Sequence, residues 1–163
     1  MSILKIRTLP DPVLRRKAKK VGIIDRSVRK LISDMLETMH ADPNRAGLAA
    51  PQVGVSLRVI VIGIPEHEDV VLINPEIVRT GGSRNVTEGC LSVPGYYAQV
   101  DRSETVTAKG RNAEGKEVRI KADGLLAQAL EHEIDHLNGM LYLDHLENPE
   151  EDLKQVGSPE EGL

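Results

Sequence analysis

The segment LEHEIDHLNG (130–139) contains two histidines and a glutamate at a spacing that can bind and use a metal ion. In an α-helix, His132 and His136 lie one turn plus about 40° apart, so both imidazoles can reach one divalent ion. Glu133 projects to one side of that face, where its carboxylate can accept a proton from water without being a ligand. This pattern favours metal-assisted hydrolysis over a chance grouping of polar residues on a helix surface.

Two imidazoles do not complete a metal site, so a third ligand has to come from elsewhere in the chain. In the extended zinc-protease pattern HExxHxxGxxH the third histidine would fall at position 142, which is Tyr142 in this chain. A glutamate from a later helix is an alternative, but Glu160 and Glu161 lie in a tail with no helical pattern. His145 follows the helix end by several residues, and no pattern gives it a role. A zinc peptidase is therefore the weaker interpretation.

Cys90 is the only cysteine in the chain, which excludes an intramolecular disulfide and fits a reducing compartment. It lies in EGCLSVPG, where Gly89 permits close backbone approach and Leu91-Ser92-Val93 indicates a strand. A thiolate from a strand and two imidazoles from a helix would form a three-ligand site with one open position for water. We therefore expect Cys90 to be the third ligand of Fe(II), Co(II), Ni(II) or Zn(II), since all of these accept sulfur.

The periodicity of apolar residues predicts the elements that must position these side chains. One helix is expected from Asp25, its N-cap, to His40, and a second from Asp123 to Asn138, followed by a left-handed Gly139. We predict a loop at 41–54 and a hairpin around NAEG. Strands are predicted at 57–64, at 70–78 with an interruption at Asn74-Pro75, and at 85–93 bounded by Pro94-Gly95. The order predicts an α+β fold, with mainly antiparallel sheets packed around the central metal-binding HExxH helix.

Composition narrows the class of protein. The chain has 163 residues, the length of one domain, and contains no Phe or Trp, so its core is expected to be aliphatic. No apolar run approaches the roughly 20 residues of a membrane-spanning helix, and Lys5 and Arg7 interrupt any signal peptide. We expect no membrane association and a cytoplasmic location, or an organellar one if a transit peptide has been removed.

The distribution of charge predicts a domain boundary and weighs against nucleic-acid binding. The run RRKAKK at 15–20 lacks interleaved aromatic residues and any recognition motif, so a solvated surface is the better interpretation. Residues 147–163 hold six acidic residues and one lysine, so we predict an acidic, mobile tail after a single catalytic domain at residues 1–146. The acidic charge also argues against docking of this tail on RNA.

Three segments resemble, in order and spacing, the three motifs of the peptide deformylase family. They are GLAAPQVG at 47–54, EGCLSVP at 88–94 and HEIDH at 132–136. The likeness extends to the N-terminal helical pattern and to the DGLLA that precedes the metal helix, so it covers about residues 1–146. It implies a metal-dependent amide hydrolase that removes the N-formyl group from the N-terminal formylmethionine of newly made polypeptides and releases formate.

The resemblance assigns roles residue by residue. Cys90, His132 and His136 match the family's metal ligands, and Glu133 matches its catalytic carboxylate. Gln52 and the backbone N–H of Leu91 match the groups that polarise the formyl oxygen, as an oxyanion requires. One divalent ion per chain is implied, with Fe(II) expected and Zn(II), Ni(II) or Co(II) as alternatives. Formylmethionyl nascent chains are the expected partners, with transient proximity to the ribosome.

Candidate residues for the methionine pocket follow from position. Leu125 and Ala129 share the face of the histidines, and Val86 lies just before the cysteine motif. Packing in the core explains each of these three equally well. The backbones of Ala46 and Gly47, like that of Gly89, are candidates to pair with an extended peptide.

Two further candidates carry family-level expectations. Glu88 is expected to brace the loop of the first motif, and Tyr97 occupies a position where some members have an arginine facing the substrate. Glu131 stands where some deformylases have glutamine. Asp135 or Glu131 could orient a metal-binding histidine, although a solvated helix face explains both equally well.

A binding module with a structural metal ion is the rival from another class. A structural site would be closed by a fourth protein ligand, and the sequence offers none. The presence of Glu133 and Gln52, which such a site does not need, also favours an enzyme.

Overall fold

The computed structural model describes residues 2–156 of the chain. Its helices and strands are, in chain order, α1 (Arg26–His40), β1 (Gly47–Ala49), β2 (Val59–Ile62), β3 (Val70–Gly81), β4 (Arg84–Cys90), β5 (Val93–Arg102), β6 (Thr105–Arg111), β7 (Glu117–Asp123), α2 (Gly124–Leu137), α3 (Pro149–Asp152) and β8 (Lys154–Gln155). Single 3-10 turns occupy Pro12–Arg15, Ala50–Val53 and Tyr142–His145. The predicted α+β class is confirmed.

A five-stranded antiparallel sheet with the order β1-β2-β3-β6-β7 separates two apolar clusters. Because side chains alternate along a strand, Ile60 and Ile62 of β2 pack in the cluster that contains α2, whereas Val59 and Val61 pack in the cluster that contains α1. The sheet is therefore covered on both faces, and α2 is held against it by buried Leu130 among others. Burial on two sides explains why β2 is wholly apolar.

Both long helices begin and end close to the predicted residues. Asp25 caps α1, since its carboxylate accepts a hydrogen bond from the backbone N–H of Val28 at 3.0 Å. Asp123 precedes α2 in extended conformation without a side-chain cap bond. Gly139 follows α2 with φ +73°, and a Cβ there would lie 2.5 Å from the carbonyl oxygen of Arg15. Both the conformation and the close approach require glycine at that position.

The second sheet is three-stranded, with the order β4-β5-β8, and it supplies the other half of the candidate site. Val86 pairs with Val100 and Glu88 with Ala98, so alternation places Val86, Glu88 and Arg102 on the same face. A register shift between Gly89 and Cys90 ends the regular pairing where the candidate ligand lies. This face packs beside α2 and the Tyr142 turn.

The structure differs from the prediction in the loop at 41–54, at the interruption at Asn74-Pro75 and at the boundary at Pro94-Gly95. The loop at 41–54 contains β1, because Gly47–Ala49 pairs with β2, and a 3-10 turn. The interruption at Asn74-Pro75 is a bulge within a continuous β3, with Asn74 at φ +53° and its side chain bonded to the backbone of Val21. Pro94 and Gly95 lie inside β5, near its exposed start, where the register shift leaves both residues without a partner on β4.

The acidic segment that begins at residue 147 takes defined structure over its first part. Pro149–Asp152 forms α3, and Lys154–Gln155 pairs with Tyr96 and Tyr97 of β5. This pairing extends the folded region beyond the predicted boundary at 146, because backbone groups of β5 are available at the sheet edge. Residues 157–163 of the predicted tail lie outside the described residues. Within residues 2–156, no helix is both long and apolar enough to cross a membrane.

Candidate metal centre

Cys90, His132 and His136 come together at the junction of β4 and α2. One ligand atom from each lies within 4.8 Å of the other two, and Sγ of Cys90 is 3.3 Å from Nε2 of His136. Metal–ligand bonds of about 2.0–2.3 Å in a tetrahedron place ligand atoms about 3.3–3.8 Å apart, so the spacing suits a divalent ion. Among the described residues, no fourth His, Cys, Asp or Glu belongs to this cluster. The geometry is that of an open three-donor site rather than a closed structural one.

The charges around His132 favour a cation at this position. Burial on its own would lower the pKa of His132, but the carboxylates of Glu133 and Glu88 and the neighbouring Cys90 outweigh it and raise that pKa well above its ordinary value. For His136, burial and the charge of His132 both lower the pKa, which keeps this imidazole neutral, as a metal ligand must be. Two imidazole nitrogens and one sulfur thus fit a divalent transition metal.

Glu88 orients His132. Its Oε1 accepts a hydrogen bond from Nδ1 of His132, which leaves Nε2 of that ring for a ligand role. Gln128 donates to Oε2 of the same carboxylate at 3.1 Å. Glu88 was expected to brace the loop of the first motif. Instead it contacts Gln128 and His132 of α2, because β4 directs this side chain towards that helix.

Arg102 holds Glu88 from the other side in a buried ion pair. Nε and Nη2 of Arg102 lie 3.0 and 2.5 Å from the two carboxylate oxygens of Glu88, and Nη1 lies 2.9 Å from Oδ2 of Asp135. Burial would raise the pKa of Glu88, but the bonds from His132 and Arg102 outweigh it and lower that pKa to about 2. Glu88 thus carries its full negative charge against His132 at neutral pH.

Neither of the two acids proposed as orienting groups bonds to a metal-binding histidine. Asp135 accepts from Arg102 and lies 2.8 Å from Nε2 of His145, which gives that histidine a structural partner. Glu131 accepts bonds from the backbone and hydroxyl of Ser103. Sequence reasoning missed Arg102 and the orienting role of Glu88, because these depend on strand register rather than on local spacing.

Glu133 is buried beside the three donors. Burial raises its pKa to about 7, and the charge of His132 opposes this shift. Its Oε1 is buried without a hydrogen-bond partner in the described part of the chain, so it is free to meet a small polar molecule. A Cβ on Gly47 would lie 2.8 Å from its Oε2, so the absence of a side chain at position 47 makes room for this carboxylate.

Gln52 is buried in the 3-10 turn after β1 and points at the same centre. Its Oε1 accepts from the N–H of Ala49 at 3.0 Å, which fixes the orientation of the amide. Its Nε2 then faces Sγ of Cys90 at 3.5 Å and Oγ of Ser92 at 3.2 Å. Leu91 follows Cys90 in the adjoining turn and lines the same cavity. The side-chain amide of Gln52 is thus placed beside the cluster, and Leu91 borders it.

An open cavity of about 580 Å³ leads to these groups. Most of the predicted substrate residues line it, namely Ala46, Gly47, Glu88, Gly89, Leu125 and Ala129. Val86 and Tyr97 are not among the described residues that line it, because Val86 packs into the cluster around Tyr142 and Tyr97 borders a separate depression near Lys154. Arg45 and Gln128 line the cavity and were not predicted, although Gln128 lies one helical turn before His132.

A cluster of two imidazoles and a thiol beside a buried carboxylate, in an open cavity, defines a metal-dependent hydrolase. Comparison with known proteins specifies which kind. The family model described as polypeptide deformylase matches residues 3–152, and the chain belongs to this family. Among curated relatives, the peptide deformylase of Dehalococcoides mccartyi strain CBDB1 is 57% identical over 162 residues, which cover 99% of this chain and 96% of the relative. That of Halothermothrix orenii is 54% identical over 145 residues, covering 88% and 94%.

Solved structures give the same result. A crystal structure of a peptide deformylase from Synechococcus elongatus in complex with actinonin matches with a TM-score of 0.86 and 45% identity, covering 93% of this chain and 85% of that one. A peptide deformylase from Legionella pneumophila matches with a TM-score of 0.85 and 50% identity, covering 89% and 86%. The fold and the enzyme family therefore agree with the resemblance seen in the three motifs.

Proposed function

We propose that this protein hydrolyses the formamide of N-terminal formylmethionine on newly made polypeptides, releasing formate and a free amino terminus. The observation that carries the proposal is the position of Glu133, buried against a three-donor metal cluster at the inner end of an open cavity. Such a site combines an acid–base group with a place for a metal ion, as amide hydrolysis requires.

Cys90, His132 and His136 would hold the metal ion, and Glu88 would fix the ring of His132 through its Nδ1. When bound, a divalent ion supplies Lewis acidity, which lowers the pKa of water and polarises a carbonyl oxygen. We propose Fe(II) as the native ion, with Zn(II), Ni(II) or Co(II) as functional substitutes, because a mixed sulfur and nitrogen donor set accepts all four.

Glu133 would move the proton. As carboxylate it accepts a proton from the attacking water, whose oxygen forms a bond to the formyl carbon. The C–N bond then breaks, Glu133 hands the proton to the departing amine, and the former formyl group leaves as formate. Burial, which raises the pKa of Glu133 to about 7, suits a group that must both accept and return a proton near neutrality.

Gln52 and the backbone N–H of Leu91 would stabilise the negative charge that develops on the formyl oxygen. The amide of Gln52 needs no reorganisation for this, because the N–H of Ala49 already holds its Oε1 and turns Nε2 towards the centre. Donors that are fixed before the reaction stabilise a transition state more than donors that must be reoriented.

The peptide would lie along the open edge of β1. Among residues 2–156 this strand pairs only with β2, and Ala46 and Gly47 line the cavity, as does Gly89. An extended peptide can add to such an edge through backbone hydrogen bonds. Leu125 and Ala129 would contact the methionine side chain from α2. The physiological partners would be formylated nascent chains in the cytoplasm, met close to the ribosome.

The direct test is formate release from formyl-Met-Ala-Ser by anaerobically prepared protein loaded with Fe(II) or Ni(II). N-acetyl-Met-Ala-Ser is the matched control, because it keeps the amide and the methionine but replaces the formyl hydrogen with a methyl group. Formate from the first peptide and much slower hydrolysis of the second would support the proposal. Equal hydrolysis of both, or cleavage at an internal peptide bond, would indicate a peptidase instead.

A further inference from the structure

Arg45 places a positive charge on the wall of the catalytic cavity. Of the described residues that line this cavity, it is the only arginine or lysine. The acidic residues of the cavity are Glu133, at its inner end, and Glu88, whose carboxylate is ion-paired with Arg102 and hydrogen-bonded to His132. The opposite wall, formed by Leu125, Gln128 and Ala129 among others, carries no charge. A charged group entering the cavity would therefore meet Arg45 as its main uncompensated partner.

The guanidinium of Arg45 is anchored but not neutralised. Its Nη1 donates to the carbonyl oxygen of Thr38, near the C-terminal end of α1, at 2.6 Å. Its Nε is buried and has no hydrogen-bond partner among residues 2–156, and no described carboxylate lies within 4.0 Å of the side chain. The nearby Asp42 uses its carboxylate to accept the N–H of Asn44. An anchored guanidinium with donors to spare is suited to bind an oxygen acceptor.

The backbone around Arg45 shows where along the substrate this charge lies. A Cβ on Gly47 would meet the carboxylate of Glu133, so Gly47 faces that group and the formyl end of a bound peptide belongs at the level of Gly47. Leu48 and Ala49 are fully buried, whereas exposure increases from Gly47 back towards residue 44, so the rest of the peptide leaves in that direction. It therefore runs antiparallel to β1 and advances about 3.4 Å per residue. Arg45, two residues before Gly47, faces the second and third residues of the peptide.

We propose that Arg45 is a specificity-determining residue that favours formylated peptides with Asp or Glu at their second or third position and disfavours Lys or Arg there. This inference rests on the proposed deformylase function and specifies the substrates within it. Because the side chain is only half buried, the effect is modest: about a two- to fivefold difference in kcat/KM between acidic and basic peptides at low salt. Added salt should reduce that ratio, since the interaction is electrostatic and partly exposed to solvent.

The test compares formate release from formyl-Met-Asp-Ala, formyl-Met-Ala-Asp and their lysine counterparts, all with amidated C-termini so that no terminal carboxylate interferes. Wild-type protein should prefer the aspartate peptides, Arg45→Lys should retain part of the preference, Arg45→Gln should remove it and Arg45→Glu should reverse it. Arg29→Gln, which removes an exposed arginine from α1, is the matched control and should leave the ratio as in wild type.

The preference is the ratio of kcat/KM for acidic and basic peptides within one variant, so a general loss of activity in Arg45→Gln, which the neutral peptide formyl-Met-Ala-Ser-amide measures, cancels from that ratio. Equal rates for acidic and basic peptides with wild-type protein, or an unchanged preference in Arg45→Glu, would overturn the inference while formate release left the proposed function intact. No formate from any peptide with metal-loaded wild-type protein would overturn the proposed function and this inference with it.

Discussion

At the scale of single residues, the centre depends on charges that are buried together and satisfy one another. Glu88 has contacts with His132, Arg102 and Gln128, and its burial would be costly without them. The lowered pKa of Glu88 means that this carboxylate keeps its negative charge well below neutral pH. We infer that its main contribution is to hold the ring of His132 in the tautomer and direction that a metal ligand needs.

Replacing Glu88 with Gln should therefore weaken metal binding by about 10- to 100-fold, because the ring of His132 loses its charged acceptor. The measurement is the dissociation constant for Ni(II) or Co(II), obtained by competition with a chromogenic chelator. Glu131→Gln is the control, since Glu131 lies on the same helix but bonds to Ser103 rather than to a candidate ligand. Equal affinities for the two variants would contradict the orienting role of Glu88.

At the scale of elements, the proposed role of Glu133 depends on the close approach of β1 to α2. Gly47 faces Glu133 across this junction, since a Cβ at position 47 would lie 2.8 Å from Oε2 of Glu133. The position is restricted by this steric contact, since Gly47 has no positive φ. Strand and helix are thus packed at the separation that a glycine allows.

Gly47→Ala should displace the carboxylate of Glu133 and lower kcat by roughly tenfold or more, while metal content stays the same because no donor is touched. Steady-state kinetics with formyl-Met-Ala-Ser, together with metal analysis, would measure both quantities. Gly22→Ala is a matched control, because a Cβ there meets nothing within 4 Å and the backbone is not left-handed. A Gly47→Ala enzyme with wild-type kcat would show that the carboxylate tolerates the methyl group.

Elements whose apolar residues recur with a regular period could be predicted from the sequence. Elements that depend on pairing with another strand could not. The face shared by Val28, Met35 and Met39 identified α1, and the hairpin around NAEG is β6 and β7. Three residues at 47–49 carry too little alternation to indicate β1, which exists because β2 offers it a partner. The sequence predicts that Pro94 bounds a strand, yet Pro94 lies within β5 at the register shift, where it has no partner on β4 and its missing N–H breaks no ladder bond.

The residues of the candidate site also fall into those that the sequence predicts and those that it does not. His132, Glu133 and His136 form a local pattern, and Cys90 and Gln52 belong to short motifs, so the sequence predicted five residues that the structure brings together. The pairing of Glu88 with Arg102 depends on the register of β4 against β5, where both residues fall on one face. Which part of a bound peptide Arg45 would face depends on the direction in which the cavity opens. Neither relation can be deduced from spacing along the chain.

At the scale of the whole molecule, the candidate metal site joins the two sheets. Cys90 ends β4 in the three-stranded sheet, whereas His132 and His136 belong to the helix packed on the five-stranded sheet. An ion that binds only the folded state stabilises it, by about 2.7 kcal/mol when the free ion is at 100 times its dissociation constant. Because this ion would connect two halves of the molecule, its removal should loosen both.

Removal of the metal by a chelator should therefore lower the midpoint of thermal unfolding, and addition of Ni(II) should restore it. Cys90→Ser is the control variant, since it keeps the size of the side chain but replaces the sulfur donor. Its unfolding midpoint should respond much less to chelator and to added metal than that of the wild type. Identical responses in both proteins would mean that the stabilising ion binds elsewhere.

The most direct test of the central claim is the ratio of kcat/KM for wild type and Glu133→Gln with formyl-Met-Ala-Ser, at equal and measured metal content. Glutamine has nearly the shape of glutamate but cannot take the proton from water. The ratio should be at least about a hundredfold, with metal binding retained in the variant. A fully metal-loaded Glu133→Gln enzyme that releases formate within a few-fold of the wild-type rate would show that this carboxylate is not the catalytic base.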